Sequence, residues 1–145
     1  MSPDASPILE RLVRFYERLQ PADLDRLGQI YADDARFKDP FNEVQGVDAI
    51  REVFEHMFRR LDAPRFVVAQ RIAQGDQAFL TWDFVFRFKG EATERHIRGA
   101  THLVFGPDGR ATLHRDYWDA AEELYEQLPL LGGLMRWVKA RARRG

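Results

Sequence analysis

The sequence of 145 residues contains no cysteine. That excludes a thiolate nucleophile, a disulfide framework and cysteine-ligated zinc, and it fits a reducing compartment. No stretch approaches the ~18–20 apolar residues of a membrane-spanning helix. The first six residues carry neither a basic cluster nor an apolar run, so they are not expected to form a secretory signal. Net charge is only −1, which argues against general affinity for nucleic acid. A glycine-rich phosphate loop, a dinucleotide fingerprint and a Ser-His-Asp motif are all missing, as are internal repeats and linkers. The expectation is a soluble, cytoplasmic protein that needs no cofactor.

What is present supports a packed core. Hydrophobic residues make up 45% of the chain, enough for one domain of this length to fold without metal or disulfide clips. Residues 1–145 are expected to form that domain, with 129–145 a basic amphipathic helical extension. Residues 8–19 read as a helix with Ser6 as N-cap and Pro7 at its first position. Pro21 opens a shorter helix that places Leu24, Leu27, Ile30 and Tyr31 on one side, ended by a polar break at Asp33-Asp34. Residues 47–61 carry the clearest helical stripe, from Val47 through Ile50, Val53, Phe54, Met57 and Phe58 to Leu61. A short strand at 35–40 precedes that helix. Four strands follow, at 65–74, 77–89, 94–105 and 110–118, joined by short turns and therefore mostly antiparallel. Residues 120–128 and 131–143 read as helices, separated by Pro129 and Gly132-Gly133.

Strand parity then selects residues, because alternate side chains face opposite sides of a sheet. Leu80, Trp82, Phe84, Phe86 and Phe88 share one face and imply a deep apolar interior. In the short strand Ala35, Phe37 and Asp39 share a face, which turns Asp39 inward. A carboxylate among aromatic rings is desolvated, and its pKa is expected to rise into the range of a general base. The alternative is that Asp39, before Pro40, caps a turn. His114, Asp116 and Trp118 share a face of the last strand. Parity alone does not say which way that face points, and the pair reads either as catalytic or as an ordinary polar contact.

Three runs together resemble the nuclear-transport-factor-2-like superfamily, which includes SnoaL-like polyketide cyclases and ketosteroid isomerase. They are Ala22-Asp23-Leu24-Asp25-Arg26-Leu27, the run from Tyr31 to Pro40 (YADDARFKDP), and Gly46-Val47-Asp48-Ala49-Ile50-Arg51-Glu52. The resemblance covers roughly residues 8–125. It implies an α+β fold, a cone-shaped, curved, mostly antiparallel sheet packed against N-terminal helices around a pocket, commonly dimerising through the sheet. Laid against ketosteroid isomerase, Asp39 takes the position of the general-base aspartate. Its oxyanion hole does not carry over. Phe15 stands at the helix-one tyrosine position with Tyr16 one step round, and Thr101 replaces the protonated aspartate. The same resemblance turns His114, Asp116 and Trp118 into the pocket. Arg98 shares an outward face with His96 and His102, so the Asp-Arg-Asp arrangement of epoxide-hydrolase members is not carried over.

The candidate catalytic residues are thus Asp39, His114 and Asp116. The expected ligand-binding wall comprises Phe15, Tyr16, Phe37, Phe54 and Trp82, with Phe84, Phe86, Thr101, Leu103 and Trp118 completing it. No metal site is expected: His96 and His102 read as interface residues and His56 as solvent-facing. The function these imply is a small acid–base enzyme, an isomerase, cyclase, dehydratase or hydrolase, acting on a hydrophobic small molecule. The alternatives are a non-catalytic binder of such a ligand, or a protein- or membrane-interaction module. A homodimer is expected, with no nucleic-acid partner. Five cations in the last ten residues leave residues 1–135 at −6. With Leu130, Leu131, Leu134, Trp137 and Val138 on one face, residues 131–144 could pack on the domain, cover the pocket, or lie peripherally on an anionic inner-membrane surface.

Overall fold

A computed structural model describes residues 5–123 and 129–144. In chain order the elements are α1 (Ala5–Glu17), a 3-10 segment (Pro21–Arg26), α2 (Leu27–Ile30), β1 (Tyr31–Lys38), β2 (Glu43–Gln45) and α3 (Val47–Arg60). β3 (Leu61–Gln74), β4 (Gln77–Phe88), β5 (Arg95–Phe105), β6 (Ala111–Tyr117), α4 (Ala120–Glu123) and α5 (Pro129–Arg144) follow. The strands form one curved, unclosed sheet in the order β2-β1-β6-β5-β4-β3. β1 pairs with β6 in parallel; every other neighbour is antiparallel.

Periodicity explains how the helices meet the sheet. α1 buries Leu9, Leu12, Val13 and Tyr16, spaced to lie on one helical stripe. It packs on β3 and β4, while α3 buries Ile50 and Phe54 against β1 and β3. On β4 the even-numbered residues from Ala78 to Phe86 are all buried, so the inward face is the one parity indicated. Each large apolar side chain so buried contributes roughly 1.5–3 kcal/mol.

Several boundaries differ from the sequence reading. Helix α1 already includes Ala5, so Ser6 lies inside it and is not its N-cap. Tyr31 does not end a helix; it begins β1 and is completely buried. Asp33-Asp34 is not a break. The β1–β6 register shifts between Tyr31 and Arg36, and this irregularity leaves both carboxylates exposed within a continuous strand. β2, only three residues long, carries too little pattern to be foreseen. β3 begins at Leu61, and its register shifts again between Asp62 and Arg65, where Ala63 takes φ +49° and Pro64 follows. Gly132-Gly133 does not divide the tail: α5 runs unbroken from Pro129, which occupies its first position, where the missing N–H costs nothing. Two glycines weaken such a helix by about 1 kcal/mol each without forbidding it. Residues 124–128 of the expected helix lie outside the described residues, as do the side chains of Leu130, Leu131 and Leu134.

One glycine is fixed by close approach. A Cβ at Gly99 would fall within 3 Å of three ring atoms of Trp82, its partner across β4–β5. Gly99→Ala must therefore displace a buried indole, and the variant is expected to lose about 1–3 kcal/mol in urea unfolding. An unchanged midpoint would show that the ring moves aside without cost.

Candidate functional site

A cavity of about 810 Å³ opens between α3 and the inner face of the sheet. Its wall is mostly apolar and rich in aromatic rings because the inward parities of β1, β3 and β4 converge there. Phe66 stacks on Phe84 with centroids 4.6 Å apart and meets Trp82 edge-on at 5.6 Å. Phe37 meets Phe54 of α3 at 6.1 Å. Val53 and Met57 extend the wall along the helix.

Into this apolar lining runs one chain of hydrogen bonds. The Trp82 indole donates to Thr101 Oγ1 at 2.8 Å, and the Thr101 hydroxyl donates to Asp116 Oδ1 at 2.6 Å. His114 Nε2 lies 2.7 Å from the same carboxylate oxygen. His114 Nδ1 lies 2.9 Å from the Tyr16 hydroxyl and 2.8 Å from that of Tyr31, and the two hydroxyls bond each other. Thr101 and His114 are 3% and 4% exposed, so water does not compete for these bonds.

Counting protons orders the chain. Burial raises the pKa of both phenols well above the ordinary value, so each retains its hydrogen. One phenol donates to Nδ1 and the other to the first phenol's oxygen, so every hydroxyl hydrogen has an acceptor. The ring proton then sits on Nε2 and points at Asp116. Oδ1 accepts from both histidine and threonine. Oδ2 has no hydrogen-bond donor among the described residues, and Asp116 lines the cavity.

Asp39 lies just beyond β1 and also lines the cavity. Its Oδ1 accepts from the backbone of Phe41 at 2.8 Å and of Asn42 at 2.6 Å, and Asn42 Nδ2 reaches both carboxylate oxygens at 3.1 Å. The two readings of Asp39 are therefore not exclusive: it caps the turn and presents a carboxylate to the cavity.

Residues 12–114 match the family model of the SnoaL-like domain. The chain belongs to the SnoaL-like family. Among solved structures it is similar to a Mycobacterium tuberculosis LEH-like epoxide hydrolase, at 19% identity over 99% of this chain and 98% of that one, with a TM-score of 0.67. It is also similar to a hypothetical protein with a ketosteroid isomerase-like fold from Catenulispora acidiphila, in complex with trimethylamine. That match has 17% identity, covers 82% and 90% of the two chains, and has a TM-score of 0.70. TerC, co-crystallised with polyporic acid, matches at 19% identity over 81% and 95%, with a TM-score of 0.69. At these identities the likeness is one of fold, and no curated protein matches the chain significantly.

Within this SnoaL-like fold, Tyr16, Phe37, Phe54, Trp82, Phe84, Thr101 and Trp118 join Asp39, His114 and Asp116 around the cavity. Phe15, Phe86 and Leu103 are not among the lining residues. Phe15 sits ~100° round α1 from Tyr16, under the Arg26 guanidinium. Phe86 is packed between Phe84 and Phe88, with centroids 5.1 and 5.3 Å away. Leu103 is fully buried in the core. Tyr31 was hidden by its phase on an apparent helical stripe; Phe66 and Val68, also lining, were legible in the parity of β3. His56 is exposed as expected, yet it stands at the cavity rim. His96 and Arg98 are exposed, and Arg98 meets Glu123 at 2.9 Å, away from the cavity. Among the described residues no cluster of three His, Asp or Glu is placed to hold a metal, and no helix is long and apolar enough to cross a membrane. Trp137 and Val138 of α5 are exposed, and no described side chain of α5 lines the cavity.

The buried phenols predict a pH dependence. Above pH ~10 the tyrosines of the unfolded chain ionise while Tyr16 and Tyr31 stay protonated in the fold. The folded state then holds more protons, so stability must fall as pH rises, by about 1.4 kcal/mol per unit for each phenol. Denaturant unfolding at pH 9, 10 and 11 checks this, and the Tyr16→Phe/Tyr31→Phe pair should flatten the slope.

Proposed function

We propose that this cavity performs cofactor-independent proton transfer on a hydrophobic small molecule, with Asp116 as the principal acid–base group. The observation that carries this reading is a carboxylate lining a mostly apolar cavity, with one oxygen held by His114 and Thr101 and the other without a donor among the described residues. Fixed hydrogen bonds keep Oδ2 aimed without reorganisation, and the aromatic wall excludes the water that would otherwise solvate it. His114 is a positioning residue. Its Nε2 hydrogen holds Asp116, and its Nδ1 is held in turn by the phenols, so the imidazole cannot rotate without stranding buried polar groups. Asp39, in the turn after β1, supplies a second carboxylate, and two carboxylates in unlike surroundings can divide the roles of acid and base. Isomerisation, cyclisation, dehydration and hydrolysis all contain such a step.

The same reading includes a homodimer formed through the outer sheet face. Val67, Ile72, Phe79 and Tyr117 are exposed there. Ile72 and Phe79 are cross-strand partners, and the Phe79 ring stacks on His102 at 4.5 Å. An isologous partner would cover this strip.

Two experiments test these proposals. In deuterium oxide, hydrophobic ketones should gain deuterium beside the carbonyl when the protein is added, or hydrophobic epoxides should open. Asp116→Asn should slow either reaction by roughly 10²–10⁴ while ligand affinity persists. Asp39→Asn keeps a turn-capping amide, so loss of turnover there instead would transfer the base to Asp39; binding without any reaction would leave a non-catalytic binder. For assembly, sedimentation equilibrium should give a dimer that Phe79→Glu dissociates. A monomeric parent protein would reject that arrangement.

A further inference from the structure

The rim of the cavity differs in charge from its depth. Arg59, Arg60 and Lys89 line it with His56, and all four are exposed. Arg59 reaches Glu55 at 3.9 Å, whereas Arg60 and Lys89 meet no carboxylate among the described residues. The backbone brings the last two together: Lys89 N–H donates to the Arg60 carbonyl at 3.2 Å, and Leu61 pairs with Phe88 beside them. Cations at the end of α3 also favour its dipole, which accounts for Arg59 and Arg60. It does not account for Lys89, which comes from a different element, nor for the convergence of all three on one cavity.

Distance along the elements separates this cluster from the acid–base chain. Arg60 lies six residues past Phe54, about 9 Å along a helix axis. Lys89 lies seven residues past Trp82, about 23 Å of extended strand. Between the two ends the lining is apolar: Met57, Phe66, Phe84, Phe88 and Ile97. Asp116 and the rim cations therefore address different parts of one elongated molecule.

We propose that the ligand of this cavity is amphipathic: an apolar body at least ~10 Å long, ended by an anionic oxygen group that Arg60, Lys89 and Arg59 hold at the rim. A carboxylate and a phosphate monoester share that chemistry. The anionic end anchors the molecule and sets its depth, so the group that reacts is fixed opposite Asp116. This names the substrate class for the proposed site, and it rests on that cavity being the ligand site, not on the reaction performed there.

Isothermal titration of the full chain with decanoate, decyl phosphate and decan-1-ol, each below its aggregation threshold, tests it. At low salt at least one anion should bind about tenfold more tightly than the alcohol, and the comparison between the anions identifies the head group. The preference should narrow at 0.5 M salt as the charges are screened. In Arg60→Gln/Lys89→Gln it should disappear while decanol affinity stays unchanged; both side chains are exposed, so folding is not at stake. Equal affinity for all three probes, or an anion preference that survives the double substitution, would overturn the proposal and leave the apolar cavity intact. Failure of decanol and both anions to bind would overturn it together with the cavity reading, independently of any turnover measurement.

Discussion

A histidine ring buried among aromatic side chains has two nitrogens to satisfy without water. The inner architecture of this protein follows from that constraint. Tyr16 arrives from α1, Tyr31 from the first position of β1, and Asp116 from two residues along β6. Two elements distant from β6 in sequence, α1 and β1, are thereby tied to one imidazole, and Asp116, Thr101 and Trp82 extend the tie across β5 and β4. Removing one member would strand the next as a buried unpaired group at a cost of about 1–3 kcal/mol. The chain therefore holds the curved sheet to its first helix as firmly as it orients the carboxylate.

Much of this was legible in the residues, and the reasons for the rest are physical. Alternation on β4 is unmistakable because every second residue from Leu80 to Phe88 is large and apolar, which fixes that strand's inner face and hence the wall of the cavity. His114 and Asp116 were recognisable as a same-face pair. Their direction was not, since Leu113, Arg115 and Tyr117 opposite them are no more polar. Tyr31 was misassigned because its spacing from Leu24 and Leu27 fits a helix, and the helical run stops one residue before it. Its true role depends on a long-range partner, 83 residues away, that no local pattern encodes. Asp39 shows the converse case. Its carboxylate caps the turn while the residue lines the cavity, two placements that are compatible because a carboxylate has more acceptor sites than the cap uses.

The bulge in β1 shows how a local irregularity serves the site. Alternation alone would send one of Asp33 and Asp34 inward, into the core beside Tyr31. The register shift instead leaves both outside, where Asp33 meets Arg110 at 3.0 Å. The strand then resumes its alternation in time to bury Ala35 and Phe37 and bring Asp39 to the cavity.

An open sheet has two edges, and each is a template on which another chain could lay a strand. Here one edge is β2, too short to nucleate a ladder. The other is β3, fourteen residues long, and its irregularity at Ala63-Pro64 takes on a protective meaning. Pro64 offers no N–H, the kinked backbone departs from the straight line that a second strand would need, and Arg65 and Arg71 place exposed charges along the remainder. Lateral pairing of copies is thus disfavoured at both margins of the sheet.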